Sequence, residues 1–460
     1  GVRLGRPVIY RIPATGKRPM TFTAEGLPEG LKLDSKTGII TGTIASKEPG
    51  DHNVTLEASN EHGKSSRPLK FVVGDTLALT PPMGWNSWYI HYHRVSDKIM
   101  REAADQMIAS GMADYGYSYV NIDDCWMQPQ GQEPYRGADG AILCNKKFPD
   151  MKAMNDYIHA KGLKSGLYTS PGEWTCARYV GSYKHELIDA SQFAKWGFDF
   201  LKYDLCTYGR LMKNTNDPAE LQVPYKKMGD ILKTLDRDIV YNLCEYGKGS
   251  VWKWGCRVGG NCWRTTGDLG LEKDKRLPGF YYIGFRNAKL YEYAKPGCWN
   301  DPDYILIGYV GDARKGGLGK PTTLSGDEQY AYMSMWSLMA APLIFSGDMA
   351  KLDEFTLNVL CNCEVIDINQ DPLGKQAKII TQTDDLLVLA KPMQDGSLAV
   401  GLFNLGEKRR KLTADWAELG LTGPKIVRDV WRHRDIGTFD KEFTAEVNRH
   451  GICLIRLRAK

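Results

Sequence analysis

Residues 198–206, Phe-Asp-Phe-Leu-Lys-Tyr-Asp-Leu-Cys, have the alternating apolar side chains of a buried β-strand but carry charge where the strand ends. Lys202 and Asp204 are two positions apart, so their side chains point to the same face of the strand. The same design recurs along the chain as a helical pattern, a glycine, a short apolar run, and then carboxylates, aromatics or amides. The chain therefore has the pattern of repeated helix and strand units whose strands end in polar side chains.

This repeat extends from residue 77 to about residue 371. In its first unit Ser96 can cap a helix in which Ile99, Ala103 and Met107 recur at helical spacing, and Gly111 ends that helix. Eight strands are predicted, at 82–88, 119–124, 164–170, 198–204, 239–245, 261–268, 297–303 and 342–348. Eight such units predict a (β/α)8 barrel, in which catalytic groups gather at the carboxyl ends of the strands. A doubly wound open sheet is the alternative, but no GxGxxG motif opens a helix after a strand, so a nucleotide site would lack its phosphate cradle.

The segments on either side of the repeat are rich in β-strand patterns. Residues 1–76 contain short alternating runs separated by Pro and Gly turns. The stretches 27–31, 37–43 and 58–63 resemble the immunoglobulin-like modules appended to many bacterial surface and secreted enzymes, where such a module is more often a spacer than a binder. Residues 372–460 contain strand-like runs at 386–390, 398–403, 426–431 and 452–457, which predict an antiparallel β domain. We therefore expect three domains, at 1–76, 77–371 and 372–460.

The overall composition is that of an ordinary globular protein. Of the 460 residues 42% are hydrophobic and 25% are charged. The 60 basic and 55 acidic residues leave a net charge of +5, spread too evenly to indicate a nucleic acid or an anionic membrane as partner. No run approaches the ~20 apolar residues that a membrane span needs.

The eleven cysteines form no CxxC pair, so neither a dense disulfide scaffold nor a zinc ribbon is indicated. Cys176, Cys206, Cys244 and Cys262 lie close to predicted strand ends, where pairing in space can occur. This favours an exported protein, periplasmic, cell-surface or extracellular, with one or two disulfides; buried free thiols in a reducing compartment are the alternative. Because Gly1 stands directly before a strand-like segment, we expect that a leader was removed upstream of it.

The side chains at the predicted strand ends have the composition of a sugar pocket. Aromatic rings pack on the C–H faces of sugars, and charged groups hold their hydroxyls. A metal site is the rival interpretation, but no histidine joins the carboxylates, and Lys202 and Arg264 would repel a cation. We expect neither a metal nor a cofactor. The set consists of Trp85, Trp88, Asp123, Asp124, Tyr168, Lys202, Asp204, Glu245, Arg264, Asp268, Asp301 and Asp303.

Several ordered motifs carry a resemblance to a known family. They are Pro82-Met-Gly-Trp-Asn-Ser-Trp88, Asn121-Ile-Asp-Asp-Cys-Trp126, Phe148-Pro-Asp150, Lys161-Gly-Leu-Lys-Ser-Gly-Leu-Tyr168, Leu201-Lys-Tyr-Asp204, Cys244-Glu245, Trp263-Arg-Thr-Thr-Gly-Asp268, Trp299-Asn-Asp-Pro-Asp303 and Ile366-Asp-Ile-Asn-Gln-Asp-Pro-Leu-Gly374. From about residue 81 to the C-terminus the chain resembles the melibiase-type α-galactosidases of glycoside hydrolase family 27. The resemblance implies a barrel followed by a small antiparallel β domain. It also implies hydrolysis of terminal α-galactosyl residues from oligo- or polysaccharides.

The resemblance assigns Asp204 as the nucleophile and Asp268 as the general acid/base. Retaining glycoside hydrolysis uses two such carboxyl groups, about 5–5.5 Å apart. The positive charge of Lys202 should keep Asp204 ionised, and a partly desolvated site should favour a proton on Asp268. Arg264 would oppose that protonation if it lay too close.

The remaining roles also follow from the resemblance. Asp123 and Asp124 would bind O4 and O6, Lys202 would bind O3 and O4, Arg264 would hold ring hydroxyls, and Trp88 would cover the apolar face of the sugar. The rest of the expected wall consists of Tyr168, Cys176, Glu245 and Asp303. The expected disulfides are Cys176 with Cys206 and Cys244 with Cys262.

Two departures from the family pattern leave the substrate partly open. Tyr304 stands where many relatives have methionine, and the loop after Glu245 carries Lys248 and Gly249. The alternative activities are those of an α-N-acetylgalactosaminidase and a β-L-arabinopyranosidase; a catalytically silent galactose-binding protein is the alternative outside enzymes. Asp124 disfavours the pentose, because a carboxylate placed for O6 would be left unpaired.

Overall fold

The computed structural model describes residues 1–269, 276–312 and 319–460. The chain starts with two three-stranded antiparallel sheets packed face to face, an arrangement consistent with the predicted immunoglobulin-like module. Its strands are β1 (Pro7–Arg11), β2 (Thr21–Glu25), β3 (Leu31–Asp34), β4 (Ile39–Thr43), β5 (Gly50–Asn60) and β6 (Gly63–Val73). One sheet has the order β1-β4-β3 and the other β2-β5-β6, and alternating side chains such as Phe22, Ile40 and Val54 fill the space between them.

Eight parallel strands follow, as predicted. They are β7 (Met83–Asn86), β8 (Tyr119–Asn121), β9 (Lys164–Thr169), β10 (Phe200–Asp204), β11 (Val240–Cys244), β12 (Cys262–Arg264), β13 (Trp299–Asp301) and, after a hairpin of β14 (Tyr309–Val310) and β15 (Lys320–Pro321), β16 (Leu343–Phe345). Their order is β13-β12-β11-β10-β9-β8-β7-β16. A parallel bridge between Ile305 and Phe345 joins the two ends, so the sheet closes into a barrel.

Helices surround the barrel, and their starts follow local capping chemistry. Ser96 accepts a hydrogen bond from the Ile99 amide, as the sequence predicts, and Asp150 caps the next helix in the same way. The helices are α1 (Trp88–His91), α2 (Asp97–Ala109), α3 (Met151–His159), α4 (Glu186–Trp196), α5 (Pro218–Thr234), α6 (Gly279–Ala288), α7 (Gly326–Leu338), α8 (Glu354–Leu360) and α9 (Cys363–Asn369). No helix in the described part of the chain is long and apolar enough to cross a membrane.

The base of the barrel, where its strands begin, is filled by apolar side chains. Tyr119, Phe200 and Trp299 are the first residues of β8, β10 and β13, and they belong to one buried cluster. Leu77, from the segment that links the module to β7, is buried in the same cluster. The Trp299 Nε1 atom donates to the Ala78 carbonyl at 2.8 Å, which fixes this linking segment under the barrel.

The N-terminal module contacts that same base. The Arg3 guanidinium donates to the carbonyls of Lys233 and Arg237, at 2.6 and 2.9 Å, and so caps the carboxyl end of α5. Arg18 donates to the Asp114 carboxylate at 2.6 Å, shortly before β8 begins. Because these residues precede the barrel strands, the module lies on the side away from the carboxyl ends of the strands.

The chain ends in an antiparallel sandwich, also as predicted. It consists of β17 (Lys378–Gln382), β18 (Leu386–Pro392), β19 (Leu398–Asn404), β20 (Arg410–Asp415), β21 (Lys425–Asp429), β22 (Arg434–Phe439), β23 (Glu442–Val447) and β24 (Ile452–Ala459). A six-stranded sheet, β17-β18-β19-β24-β21-β22, faces the pair β20-β23. Leu389 and Phe403 on the larger sheet pack into the barrel core, whereas Val400 and Leu402 fill the interior of the sandwich.

Candidate active site

The carboxyl ends of the barrel strands meet at the mouth of the barrel, and the predicted site residues lie there. Asp204 and Arg264 are the last residues of β10 and β12, and Glu245 directly follows the last residue of β11. Because the strands are parallel and paired in register, these positions face the same mouth. The other predicted residues lie on β9 or β10 or in the segments after β7, β8, β9, β12 and β13; they are Trp88, Asp123, Asp124, Tyr168, Cys176, Lys202, Asp268 and Asp303.

Asp204 is buried and accepts hydrogen bonds from two tyrosine hydroxyls. The Tyr168 hydroxyl lies 2.9 Å from Oδ2, and the Tyr246 hydroxyl lies 2.8 Å from Oδ1 and 3.0 Å from Oδ2. Burial raises the pKa of Asp204 above its ordinary value, while the charge of Lys202 and the two hydroxyls act to lower it. Asp204 is therefore buried, and Lys202 and the two hydroxyls favour its ionised form.

Lys202 forms its ion pair with Asp123, not with Asp204. Its Nζ atom lies 2.8 Å from Asp123 Oδ2, and both side chains are buried. The Tyr304 hydroxyl donates to the same oxygen at 3.1 Å, and its ring centroid lies 5.0 Å from Nζ. Lys202 therefore acts on Asp204 only as a nearby charge, and its contact fixes Asp123.

Two aromatic rings beside Lys202 form an apolar side of the mouth. The ring centroids of Trp88 and Tyr168 lie 6.0 and 5.2 Å from Nζ. Trp88 is half-buried, and Tyr92 packs against it edge to face at 4.9 Å. Trp85, by contrast, is fully buried and donates to the Gly347 carbonyl, so it belongs to the core and not to the pocket.

Asp124 already accepts hydrogen bonds from the protein on both of its oxygens. Oδ1 accepts from the Thr175 hydroxyl and the Cys125 amide, both at 2.7 Å, and Oδ2 accepts from the Ala177 amide at 2.9 Å. Burial raises the pKa of Asp124 to about 7, although these donors oppose the shift. Because the donors belong to the protein, a pentose would not leave this carboxylate unpaired. The predicted discrimination against a pentose by Asp124 therefore loses its physical basis.

Arg264 joins Asp268 to Asp303. Its Nη2 atom lies 3.4 Å from Asp268 Oδ1 and 3.0 Å from Asp303 Oδ2. Arg264 is therefore within ion-pair distance of Asp268, the expected acid. Asp303 Oδ2 also accepts from the Leu269 amide and the Tyr89 hydroxyl, both at 2.9 Å. Asp303 is almost fully buried, so it does not line the mouth directly. Its carboxylate instead holds Arg264 and the backbone of Leu269 in position.

Glu245 is fully buried, and one of its oxygens is unsatisfied within the described residues. The Gly247 amide donates to Oε1 at 3.2 Å, and Oε2 has no hydrogen-bond partner there. Burial raises the pKa of Glu245 well above its ordinary value. A buried polar atom without a partner costs about 1–3 kcal/mol, so this oxygen lowers the stability of the folded protein.

The predicted pairing of Cys244 with Cys262 is wrong. In the register of β11 and β12, Cys262 lies opposite Asn242, two residues below Cys244. The Cys244 sulfur faces the Arg264 guanidinium at the mouth, whereas Cys262 is buried in the base cluster. Both are free thiols, because the strand register places their side chains at different levels of the barrel.

A disulfide that the sequence did not predict joins Cys256 and Cys298, near the starts of β12 and β13. The other predicted pair, Cys176 and Cys206, is brought together at the mouth, with 2.9 Å between two free thiols. Together with Asp204 these two form a group of three side chains close enough to hold a metal ion, the one such group in the described ranges. The Asp204 carboxylate in this group already accepts from two tyrosines.

Two tyrosines of the mouth were not assigned roles from the sequence. Tyr246 contacts Asp204, and Tyr304 contacts Asp123. The sequence motifs give Tyr304 only as a departure from the family pattern, and they single out Lys248 and Gly249, not Tyr246, in the loop after Glu245. Their position directly after Glu245 and Asp303, at the ends of two barrel strands, was the signal that could have identified them.

Comparisons with known proteins agree with this architecture. A family model described as alpha galactosidase A matches residues 80–371, and a model of the alpha galactosidase C-terminal beta sandwich domain matches residues 383–457. A model of an Ig domain matches residues 1–74.

Individual relatives extend over most of the chain. Alpha-galactosidase 2 of Arabidopsis thaliana is 38% identical over 387 residues, which is 83% of this chain and 90% of the relative. Alpha-galactosidase A of Cellvibrio japonicus is 35% identical over 404 residues, which is 83% of this chain and 93% of the relative. A solved Bacteroides fragilis structure, provisionally named an alpha-galactosidase, is 38% identical with a TM-score of 0.91, and the match covers 100% of this chain and 96% of that one.

Proposed function

The chain belongs to the melibiase family and is a glycoside hydrolase of the α-galactosidase type, and from this premise we propose that it removes terminal α-D-galactosyl residues with retention of configuration. The substrates are galactose-containing oligo- or polysaccharides. The observation that carries the proposal is the environment of Asp204, a buried carboxylate at the end of β10 that is held by two tyrosine hydroxyls.

Asp204 is the nucleophile and Asp268 is the acid/base in this proposal. The Asp268 side chain is 30% exposed, so it can exchange its proton with water, whereas Asp204 is shielded. In the first step Asp204 attacks the anomeric carbon while Asp268 gives its proton to the departing oxygen. In the second step Asp268 takes a proton from water, which attacks the same carbon and releases Asp204.

The sugar-binding roles rest on the contacts at the mouth. In this proposal Asp123 and Lys202, held together as an ion pair, would bind the O3 and O4 hydroxyls, and Asp124, the next residue, would bind O6. Trp88 offers a half-buried ring for the apolar face of galactose.

Export of the protein is also part of the proposal. The immunoglobulin-like match at residues 1–74 and the disulfide between Cys256 and Cys298 support a bacterial protein that acts in an oxidising compartment. The division into 1–76, 77–371 and 372–460 is proposed on the same matches. The two thiols at the mouth, Cys176 and Cys206, are close enough to pair after export.

The first prediction concerns the choice of sugar. Among p-nitrophenyl glycosides, we expect the highest kcat/KM on α-galactoside, and lower values on the glycosides of α-N-acetylgalactosamine and β-L-arabinopyranose. An acetamide at C2 must fit beside Glu245 and Lys248, and the match of 83% of this chain to α-galactosidases favours galactose over the pentose. A highest rate on either competitor would replace the proposed substrate, and binding without turnover of any of the three would favour a silent lectin-like protein.

The second prediction concerns stereochemistry. Because Asp204 and Asp268 follow different strands of the barrel, they can act on opposite faces of the anomeric carbon, as double displacement requires. Hydrolysis of an α-galactoside should therefore release α-galactose first, followed by slow mutarotation. Proton NMR in the first minutes measures this directly. If β-galactose appeared first, the enzyme would be inverting, and the pairing of Asp204 with Asp268 would have to be abandoned.

A further inference from the structure

Tyr246 makes an uneven set of contacts with the two oxygens of Asp204. Its hydroxyl is the one protein donor recorded on Oδ1 within the described residues, at 2.8 Å. Oδ2 accepts from Tyr168 at 2.9 Å and from Tyr246 at 3.0 Å, and the Cys176 sulfur lies 3.7 Å away. The two oxygens of a carboxylate carry about four lone-pair sites. The Tyr246 hydroxyl has one proton, which its two distances place between the oxygens and nearer to Oδ1. Oδ2 also accepts from Tyr168 and is therefore the more fully occupied oxygen, whereas Oδ1 keeps a lone pair that can bond to carbon.

A strained turn holds Tyr246 in this position. Its φ angle is +64°, a left-handed conformation that is uncommon for a tyrosine, and Gly247 follows at +79°. A Cβ atom on Gly247 would lie 2.2 Å from the Thr265 carbonyl oxygen, so the turn needs glycine there. The Arg264 guanidinium lies 5.8 Å from the tyrosine ring centroid, within the range of a cation–π contact. Backbone strain of this kind is often retained where it places a functional group.

We propose that Tyr246 is a positioning residue for the transferred galactosyl group, one that directs Oδ1 of Asp204 to the anomeric carbon and stabilises the carboxylate when the group leaves again. The inference rests on the proposed function, because it takes Asp204 as the nucleophile. It concerns a residue of this chain that neither the sequence motifs nor the family resemblance assigned.

The two steps place different demands on the Tyr246 hydroxyl. In the first step a bond forms between the anomeric carbon and Oδ1, the bond to the leaving oxygen breaks, and that oxygen takes the proton of Asp268. Negative charge then leaves Asp204, so the bond from Tyr246 weakens and moves toward Oδ2. In the second step water attacks, its proton goes to Asp268, and the electron pair of the carbon–Oδ1 bond returns to Asp204. A donor to the returning carboxylate lowers the barrier of this second step.

The hydroxyl also affects the ionisation of Asp204. Burial raises the pKa of Tyr246 well above its ordinary value, so the phenol keeps its proton and acts as a donor. A donor to the charged form of a carboxylate lowers the pKa of that carboxylate. Several titratable groups face Asp204 from the surrounding elements. Those on strands or helices are Tyr168 (β9), Lys202 (β10), Cys244 (β11) and Tyr225 (α5); those in the segments after strands are Cys176 (after β9), Cys206 (after β10), Glu245 and Tyr246 (after β11) and Asp268 (after β12).

The test compares Tyr246→Phe with Tyr208→Phe. The first substitution keeps the ring and removes the hydroxyl; the second removes a hydroxyl from a half-buried tyrosine that packs on Tyr183 outside the catalytic contacts. In Tyr246→Phe the acid limb of kcat/KM should move to higher pH by roughly one unit, because the pKa of Asp204 rises without its donor. The second step should slow about tenfold, so an aryl galactoside should give a burst of phenol equal to the enzyme, with kcat and KM falling together. Tyr208→Phe should show neither effect.

A uniform loss of activity at all pH values, with no burst and no movement of the acid limb, would show that Tyr246 only supports the fold. Should Tyr246→Phe fail to fold, 3-fluorotyrosine at position 246 preserves the ring and strengthens the donor, and the acid limb should then move to lower pH. An unmoved limb in the fluorinated protein would overturn the proposal. The anomer released by the unmodified enzyme distinguishes failure of the Tyr246 proposal from failure of the proposed function. Release of the α anomer with an unmoved acid limb would reject only the role of Tyr246. Release of the β anomer would reject the retaining mechanism itself.

Discussion

Replacing Asp204 by asparagine should reduce turnover of every α-galactoside by roughly 10⁴-fold or more, the scale on which loss of a catalytic nucleophile acts. Asparagine has nearly the same shape; its one amide oxygen can accept from one tyrosine hydroxyl, and its amide nitrogen can donate to the oxygen of the other, so the fold and the mouth should persist. What is lost is the oxygen that bonds to the anomeric carbon, and no other carboxylate in the described part of the chain shares its two tyrosine contacts. Initial rates on p-nitrophenyl α-galactoside measure the effect.

The control for this substitution is the binding of free galactose, followed by calorimetry together with the thermal unfolding midpoint. Both should change little in Asp204→Asn. A residual rate within tenfold of the parent enzyme would exclude Asp204 as the nucleophile. Trapping of the intermediate with a 5-fluoro galactosyl fluoride, followed by peptide mass spectrometry, offers an independent check, since the label should be found on the peptide that contains Asp204.

Replacing Asp268 by alanine should have an effect that depends on the leaving group. Melibiose-like sugars need a proton to depart, so their glycosylation step should slow by about 10²–10⁴-fold, the usual contribution of a general acid. Aryl galactosides with acidic phenols need little protonation, and the same step should fall far less. Single-turnover rates on the two substrate types measure the difference. Equal losses on both would mean that Asp268, beside Arg264, only positions the sugar.

Azide provides a second readout on Asp268→Ala. The second step lacks its base in this variant, but azide needs no deprotonation and should replace the activated water. With the sugar bound through Asp204 on its β face, azide can approach only from the α face, so α-galactosyl azide is the expected product. The parent enzyme should form little of it. A β-galactosyl azide would place the attached carboxylate on the wrong face and contradict the assignment of Asp204.

Sequence patterns predicted where side chains lie along the strands better than which atoms they touch. The period-two alternation placed Asp204 at the carboxyl end of β10, and the barrel topology then brought it to the same mouth as Glu245 and Arg264. The partner of Lys202 was not predictable in this way. Its Nζ atom reaches past β9 to Asp123, which follows β8, and this contact depends on side-chain rotamers and on the curvature of the barrel.

The two errors at the cysteines and at Tyr246 have related causes. The proposed bond between Cys244 and Cys262 failed because sequence does not state the register of adjacent parallel strands, and a displacement of two residues separates their sulfurs. The contact of Tyr246 with Asp204 depends on a left-handed backbone angle directly after β11. Residues other than glycine adopt that angle rarely, so the conformational propensity of tyrosine does not predict it.

The closed base of the barrel determines how a glycan can move through the enzyme. Leu77 and the ring of Trp299 seal the end opposite Asp204, and the N-terminal module contacts that same end through Arg3. The mouth that holds Asp204 therefore has no outlet through the base of the barrel. A polysaccharide cannot thread through the barrel, so only a chain end or a single-residue branch can reach Asp204, the proposed nucleophile. The freed galactose must leave by the route along which the next chain end arrives. Product must therefore be released before the next substrate molecule can bind.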